Sequence, residues 1–571
     1  MKYNSKKLFP VLNAGGIYMK TWMKAGILFL GAGLLAGACE AADVPTAAES
    51  VIQQAARTTE DQQAMLAYYK YSRDTEISEK ARPLVVREKK AESVDPELSF
   101  EVKEIRVTPS KLLTDEEIEK AVHFKGAGVS NVAELRAMVD RLNALYVAKK
   151  IPTAQAVLPP QTIKDGVVYI RLIEGTFGKL EISGNHRIET ETIAHRIRAA
   201  TGELVDVDRL QDDLRVYNST NVYQIRAELV PGEEEGTSDL RLVLEEKENP
   251  VTTFIFTDNA GQYDSGRYRI GFYTEYRGIG GHDAALAISP IWTRGIWGGS
   301  VMYDMPIGLK GTRIAISYGR NVVNIIRGTF ADQNMKAKSN DVSLTISHPL
   351  NVTMLTKTDL FLELHKKWSD TEYSGIGIAD DDTKTMKLGL MHRKFDDHGM
   401  WFAMLSATGY ESDDAFRGRE KNGSYFNGYL MRRQNISDDR YLMVRLSGQY
   451  TARKELPTTE RFTMGGMGSV RGFRDSTLTG DIGWYAGIEY GFPLSADHKT
   501  WRGFTFLDHG VAYSEYSVQT TKEHITSMGF GVEFNKGGWY GKVALGFPIS
   551  DSGKIINDSV TRIHFYLQRT I

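Results

Sequence analysis

Gly266 to Tyr276 reads GRYRIGFYTEY, and its alternation decides the fold: Tyr268, Ile270, Phe272, Thr274 and Tyr276 fall on one face, Arg267, Arg269 and Glu275 on the other. Side chains that alternate in and out belong to a strand with one apolar face. The same period recurs downstream. In TRIAISYG, Ile314, Ile316 and Tyr318 oppose Arg313 and Ser317; in DLFLELH, Leu360, Leu362 and Leu364 oppose Asp359, Glu363 and His365. RYLMVRLSGQY sets Leu442, Val444, Leu446 and Tyr450 against Arg445 and Gln449, and TRIHFYLQRTI closes the chain in the same manner. Beyond Pro250 helical periodicity is gone, and Gly, Asp, Asn and Ser separate the strands. Nearly every segment carries one apolar face with aromatics near its ends, which a lipid belt demands and a shared soluble core does not. At about 10 residues per crossing plus turns and longer outer loops, residues 250–571 suit roughly 16 strands. Closure is required, because an unpaired edge cannot face lipid. The expected fold is therefore a transmembrane antiparallel β-barrel.

Composition agrees with a β-rich membrane protein. Lys plus Arg total 70 against 72 for Asp plus Glu, so the charge footprint of a nucleic-acid binder is missing. The chain of 571 residues has 54 Gly and 10% aromatics, many turns and many rings. Ahead of the barrel, Lys20 and Lys24 precede the 14-residue apolar run AGILFLGAGLLAGA (25–38), which ends in small residues. That is the layout of a secretory signal, assigned to residues 1–42, with Met19 as a candidate start; the run is too short to span a bilayer. Cys39 is the sole cysteine, at a site that loosely resembles a lipoprotein cleavage point. A disulfide framework is thereby excluded, as is a cysteine-ligated metal.

Between signal and barrel three segments are expected. Residues 43–96 are polar, with a marginal helix over 47–73 and a linker behind it. Residues 97–175 read as a mixed unit: FEVKEIRV as a strand, capping boxes at Thr114/Glu117 and Asn131/Glu134, a helix burying Leu135, Val139, Leu142 and Tyr146, and two closing strands. Residues 176–249 repeat that β-α-α-β-β order: GKLEISGN, a helix over IETETIAHRIRAA, a second with Leu210, Leu214 and Tyr217 on one face, then IRAELV and LRLVLEEKE.

Within the barrel, GGMGSVRGF (Gly465 to Phe473) joins a dense glycine stretch to a fixed charge, Arg471. Glycines permit close backbone passage, and a guanidinium brought into a lumen needs an acceptor. Asp508 in FTFLDHGVAY is the candidate. It shares the parity of Phe504 and Phe506, so simple alternation points it away from the lumen unless a bulge intervenes or the aromatics themselves line the interior. No nucleophile elbow, zinc helix or phosphate loop occurs, and no catalytic residue, cofactor or metal is assigned.

These motifs carry a resemblance. GGMGSVRGF resembles the VRGF loop motif, and FLDHG the F-x-D-x-G strand motif, of the BamA-like outer-membrane barrel superfamily. The two mixed units resemble POTRA domains. AELVPGEEEGTSDLRLVLEE (Ala227 to Glu246) resembles the segment closing the second POTRA domain of the haemolysin secretion/activation family (ShlB/FhaC/HecB), the TpsB transporters of two-partner secretion. The resemblance implies that Gly465, Gly466, Val470, Arg471, Gly472 and Phe473 form a loop folded back into the lumen. It implies that Arg471 pairs with Asp508, framed by Phe506 and Gly510, and that Pro231, Gly232, Gly236, Ser238 and Leu240 form the POTRA motif. It further implies an outer-membrane translocator with its POTRA domains in the periplasm, a TpsA-like exoprotein bound as an extended chain, lipid and the barrel assembly machinery as partners, and a pore plug within 43–96. Three readings stand beside export: an assembly factor of the BamA type, a plain solute channel and, more distantly, a barrel-resident lipase.

Overall fold

The computed structural model describes residues 85–86 and 99–571, apart from 125, 150, 152, 160, 329, 415–418, 438, 454–455, 516–519 and 553–560. The expected signal, Cys39 and the helix over 47–73 lie outside the described residues. From the linker, only β1 (Val85–Val86) is described.

The first unit runs β2 (Ser99–Val102), β3 (Glu104–Val107), α1 (Asp115–Val122), β4 (Gly128–Asn131), α2 (Val132–Ala148), β5 (Ala154–Val157) and β6 (Val167–Glu174). FEVKEIRV is thus not one strand. The amides of Lys103 and Glu104 both donate to Gly166 O (2.7 and 3.2 Å), which bends the chain and sends β2 to pair with β4 while β3 joins β6 and β5. The α1 capping box forms in both directions, Glu117 N to Thr114 Oγ1 (3.3 Å) and Thr114 N to Glu117 Oε2 (2.9 Å). At α2 only half of the expected box exists. Asn131 accepts Glu134 N–H at 2.8 Å, but the Glu134 carboxylate takes the Ser130 hydroxyl instead. Leu142, Tyr146 and Ile170 close the core under the sheet.

The second unit contains β7 (Thr176–Ser183), α3 (Thr190–Ala194), α4 (Val207–Thr220), β8 (Gln224–Pro231) and β9 (Thr237–Glu245). The helix expected over residues 188–200 shrinks to the five residues of α3. Its continuation is diverted because Asp213 of α4 captures both the amide of Arg198 (3.0 Å) and its guanidinium, while Ile193 and Ile197 stay in the core.

From Val251 onward, 16 antiparallel strands close into a barrel. The first, Val251–Asp258, meets the last, Arg562–Thr570, over the pairs from Phe254↔Thr570 to Asp258↔Tyr566. Outward faces are apolar: Ile316, Leu388, Leu405, Phe426, Leu507 and Phe530 are all exposed, as residues facing lipid must be. Tryptophans ring both ends, with Trp401, Trp501 and Trp539 on one rim and Trp292, Trp297 and Trp484 on the other. Inward faces carry buried Glu275, Arg277, Asp304, Asp341, Lys367 and Thr408. Strand length departs from the 10-residue expectation. Ile376–Asp396 has 21 residues, so the wall continues past the lipid on the side away from the mixed units.

The second unit sits on the opposite rim through main-chain contacts. Val222 N–H donates to Asp283 Oδ2 (2.7 Å), Arg313 Nη1 to Thr220 O (2.8 Å), and Glu189 N–H to Gly281 O (2.9 Å).

Candidate functional site: a charge clamp inside the barrel

Strands Arg440–Thr451 and Ile482–Pro493 are barrel neighbours, yet residues 452–481 separate them in sequence. This is the sixth loop on the far rim. It folds inward and begins and ends in a short ladder, Phe462–Met464 with Leu478–Gly480. Gly465 and Gly466 take φ of +123° and +83°, a region side chains rarely adopt, and start the turn. Ser469 staples it by accepting Gly465 N–H (2.8 Å) and donating to Gly465 O (2.9 Å). Val470 and Phe473 are completely buried against Met464, Leu478, Ala512 and Ile525.

That packing delivers Arg471, 1% exposed, to the inner wall. Its Nε and Nη2 donate to the two oxygens of Asp508 (2.7 and 2.9 Å), and its own amide adds a third bond to Asp508 Oδ2 (3.1 Å). The guanidinium lies 3.8 Å above the Phe506 ring. The parity difficulty of Asp508 resolves without a bulge: the registers of Trp501–Glu515 with both neighbours run unshifted, so Phe504 and Phe506 line the lumen with it while Leu507 faces out. The sequence-expected pair is therefore brought together, and Gly510 sits beside Val470, where an added Cβ would come within 3.1 Å of Val470 Cγ2.

Sequence reasoning missed half of the site. Glu489 accepts Arg471 Nη1, Lys542 lies 3.4 Å from Glu489 and 2.6 Å from Glu533, and Arg445 lies 3.7 Å from Asp508. Three cations thus face three carboxylates in a charge-balanced group whose centre, Arg471, Asp508 and Glu489, is buried, and this balance offsets the several kcal/mol that each buried ion loses on leaving water. A signal for Glu489 existed: in AGIEYGFP it is the lone charge in an otherwise apolar strand. His564 on the last strand accepts Gly472 N–H at 3.0 Å, tying the loop tip to the closing seam. Gly472 and Gly546 touch so closely that a Cβ on Gly546 would meet the Gly472 backbone at 2.5 Å.

At the outer mouth the same loop is fastened again. The guanidinium carbons of Arg267, Arg327 and Arg474 lie 5.8, 5.6 and 5.5 Å from the ring centre of Tyr263. Gln262 also donates to Asp475 O and to the Ser476 hydroxyl, both at 3.3 Å. Burial pushes the neighbouring Asp264 carboxyl above its ordinary range, and the Arg474 charge opposes that shift.

Residues 231–240 close the second unit around the start of β7. Gly236 has φ +83° and its carbonyl accepts Thr176 N–H (3.0 Å); Gly232 N–H donates to Thr237 O (2.9 Å); Ser238 pairs with Pro231; Leu240 is buried in the core. Among the described residues no group of His, Cys, Asp or Glu is arranged to hold a metal ion.

Comparison with known proteins places these features in a lineage. Residues 236–534 match the profile described as haemolysin secretion/activation protein ShlB/FhaC/HecB, and residues 100–175 match the ShlB-type POTRA domain. The outer membrane transporter CdiB of Dickeya dadantii is 23% identical over 500 residues, 81% of this chain and 85% of the relative. The heme/hemopexin transporter protein HuxB of Haemophilus influenzae is 20% identical over 494 residues, 80% and 85% of the two chains. In solved structures the fold is similar to CdiB from Escherichia coli, with a TM-score of 0.65, 18% identity and coverage of 90% and 98%. BamA from Haemophilus ducreyi is similar at a TM-score of 0.51, with 14% identity and coverage of 83% and 100%.

Proposed function

The chain belongs to the ShlB/FhaC/HecB family of haemolysin secretion/activation proteins, and on that premise we propose how it moves its cargo. It is an outer-membrane translocator of an exoprotein, with its POTRA region on the periplasmic side. The cargo is a TpsA-like chain that arrives extended; its unpaired main-chain groups add to a POTRA sheet as a strand, and side-chain pockets between strand and helix select it. The apolar outer belt holds the barrel in lipid, into which the barrel assembly machinery inserts it. Transport runs without nucleotide; folding of the cargo outside prevents its return.

The Arg471 clamp carries this reading. A loop pinned in the lumen by one buried guanidinium on two carboxylates has two well-separated arrangements, seated and released, and arriving cargo shifts the balance between them. The charge is costly to bury and is held too specifically for a wall that only needs to stay wet. The test is complementation of a deletion strain with Arg471→Ala. Removing one partner of a buried ion pair costs about 3–5 kcal/mol, so the loop unseats. The exoprotein should vanish from the medium while the barrel still inserts and shows heat-modifiable migration. Undiminished export by this variant would refute the role of the clamp.

A further inference from the structure

On the outer wall, strands Thr312–Asn324, Lys336–Val352, Thr356–Tyr373 and Ile376–Asp396 lie side by side and run past the lipid. Register sets their outward residues in ranks that can be followed from strand to strand. One rank reads Ile316, Leu344, Leu364 and Met386, all apolar. The next rank outward reads Tyr318, Val342, Lys366 and Lys384, and the one beyond it Arg320, Asn340, Trp368 and Asp382. The lipid belt therefore ends between Leu364 and Lys366, and the first charges above it are cations. Like charges directly opposite one another destabilise a sheet, and a wall that needed only solubility would set unlike charges across each pair. Here charge is sorted by height instead: Lys366 faces Lys384, and further out Asp382 faces Asp413 and Asp370 faces Asp380. Lys366 and Lys384 do reach carboxylates, Asp382 at 2.5 Å and Glu411 at 4.0 Å, but these pairs are open to solvent and contribute little. The Arg320 guanidinium donates to a neutral group, the Asn340 carboxamide, at 3.0 Å. Two rings complete the patch, Tyr318, which is exposed, and Trp368, whose centre lies 5.9 Å from Lys366 Nζ.

We propose that Arg320, Lys366 and Lys384 form a docking site for the phosphorylated glycolipid of the outer leaflet. Ammonium and guanidinium groups hold phosphate oxygens through short charge-assisted bonds, and Tyr and Trp suit a boundary that is apolar on one side and wet on the other. Height selects the ligand. Acyl chains cover the rank of Leu364, and a phosphate directly above them meets the two lysines and relieves their mutual repulsion. A phosphate standing further out meets Asp370, Asp380, Asp382 and Asp413 and is turned away. The wall itself rises past that level on a strand of 21 residues, a height that suits a headgroup of several sugars better than a phospholipid's. The site needs only a barrel whose far rim stands in the outer leaflet, whichever chain the pore carries.

The test is native mass spectrometry of the purified full chain, stripped of lipid in detergent and titrated with lipid A bearing both phosphates. Parallel titrations use dephosphorylated lipid A, phosphatidylglycerol and inorganic phosphate. The phosphorylated glycolipid should bind roughly tenfold tighter than either other lipid, the worth of one or two charge-assisted bonds, and less tightly as salt rises. Arg320→Gln with Lys366→Gln and Lys384→Gln should abolish that preference, while Lys310→Gln, on an exposed turn at the opposite rim, should keep it. Heat-modifiable migration reports whether the triple variant folds. Arg320→Gln alone breaks only a bond to a neutral carboxamide, and it should lower the affinity about threefold even where the triple variant cannot be made. Equal binding of dephosphorylated lipid A, or undiminished binding by the folded variants, would overturn the proposal. So would phosphatidylglycerol binding as tightly, the mark of a general anionic-lipid surface, or displacement by millimolar inorganic phosphate, the mark of a free-anion site. None of these readouts passes through export, so their failure leaves the translocator reading standing.

Discussion

At Arg471 the geometry discriminates between charge and shape. Lysine would keep the charge but could not reach Asp508 through two donors, reach Glu489 through a third and lie flat on Phe506 at once. The glycines around it separate steric from electrostatic causes. Gly546→Val leaves every charge in place yet drives a side chain into the Gly472 backbone, whereas Gly468→Val meets nothing within 4 Å. Gly546→Val should therefore abolish export and expose the loop to protease added outside, and Gly468→Val should export at the native level. Equal export by both would mean that close passage of the loop past the wall is irrelevant.

Among the elements, the outer fastening at Tyr263 is separable from the inner clamp. Three guanidiniums around one ring, each contributing about 0.5–2 kcal/mol, hold loop 259–268 to loop 325–335 and to the returning loop. Tyr263→Ala should loosen the mouth while Arg471 stays seated. The expected result is a several-fold rise in open-channel events in planar bilayers and sensitivity to large antibiotics, with Tyr263→Phe close to native. Unaltered conductance in the alanine variant would remove the latch role.

The elements also show what a sequence carries. Alternation in segments such as 312–319 and 359–365 was readable because a barrel strand has one lipid face and period two survives any loop length. The Arg471–Asp508 pair was readable through its motifs. Glu489 left a trace, as a lone charge in an apolar strand, but Lys542 and Arg445 left none, since nothing local distinguishes a clamp member from any lumen-facing charge. The break in FEVKEIRV depends on Gly166, more than 60 residues away. The shortening of α3 depends on Asp213, and β1 depends on an edge that only the folded second unit presents. Each of these breaks in local pattern comes from a distant partner, the Gly166 carbonyl, the Asp213 carboxylate or the β8 edge, overriding local preference.

For the whole molecule, the seat of the second unit matters as much as the pore. Buried Asp283 binds Val222 N–H and pairs with Arg277 (3.3 Å) and Arg313 (3.5 Å), and Arg313 also pairs with Asp304, so the rim and the periplasmic unit share one ion network. The second unit is thereby held at a fixed place on the rim. A plain channel would need none of this, and an assembly factor would use the barrel on membrane clients rather than on a chain passing through it. The decisive measurement is quantitative proteomics of medium and outer membrane after deletion of the gene. The account predicts that one large exoprotein, or a very small set, disappears from the medium while other outer-membrane barrels keep their levels. Broad depletion of those barrels, with secretion otherwise unchanged, would contradict it.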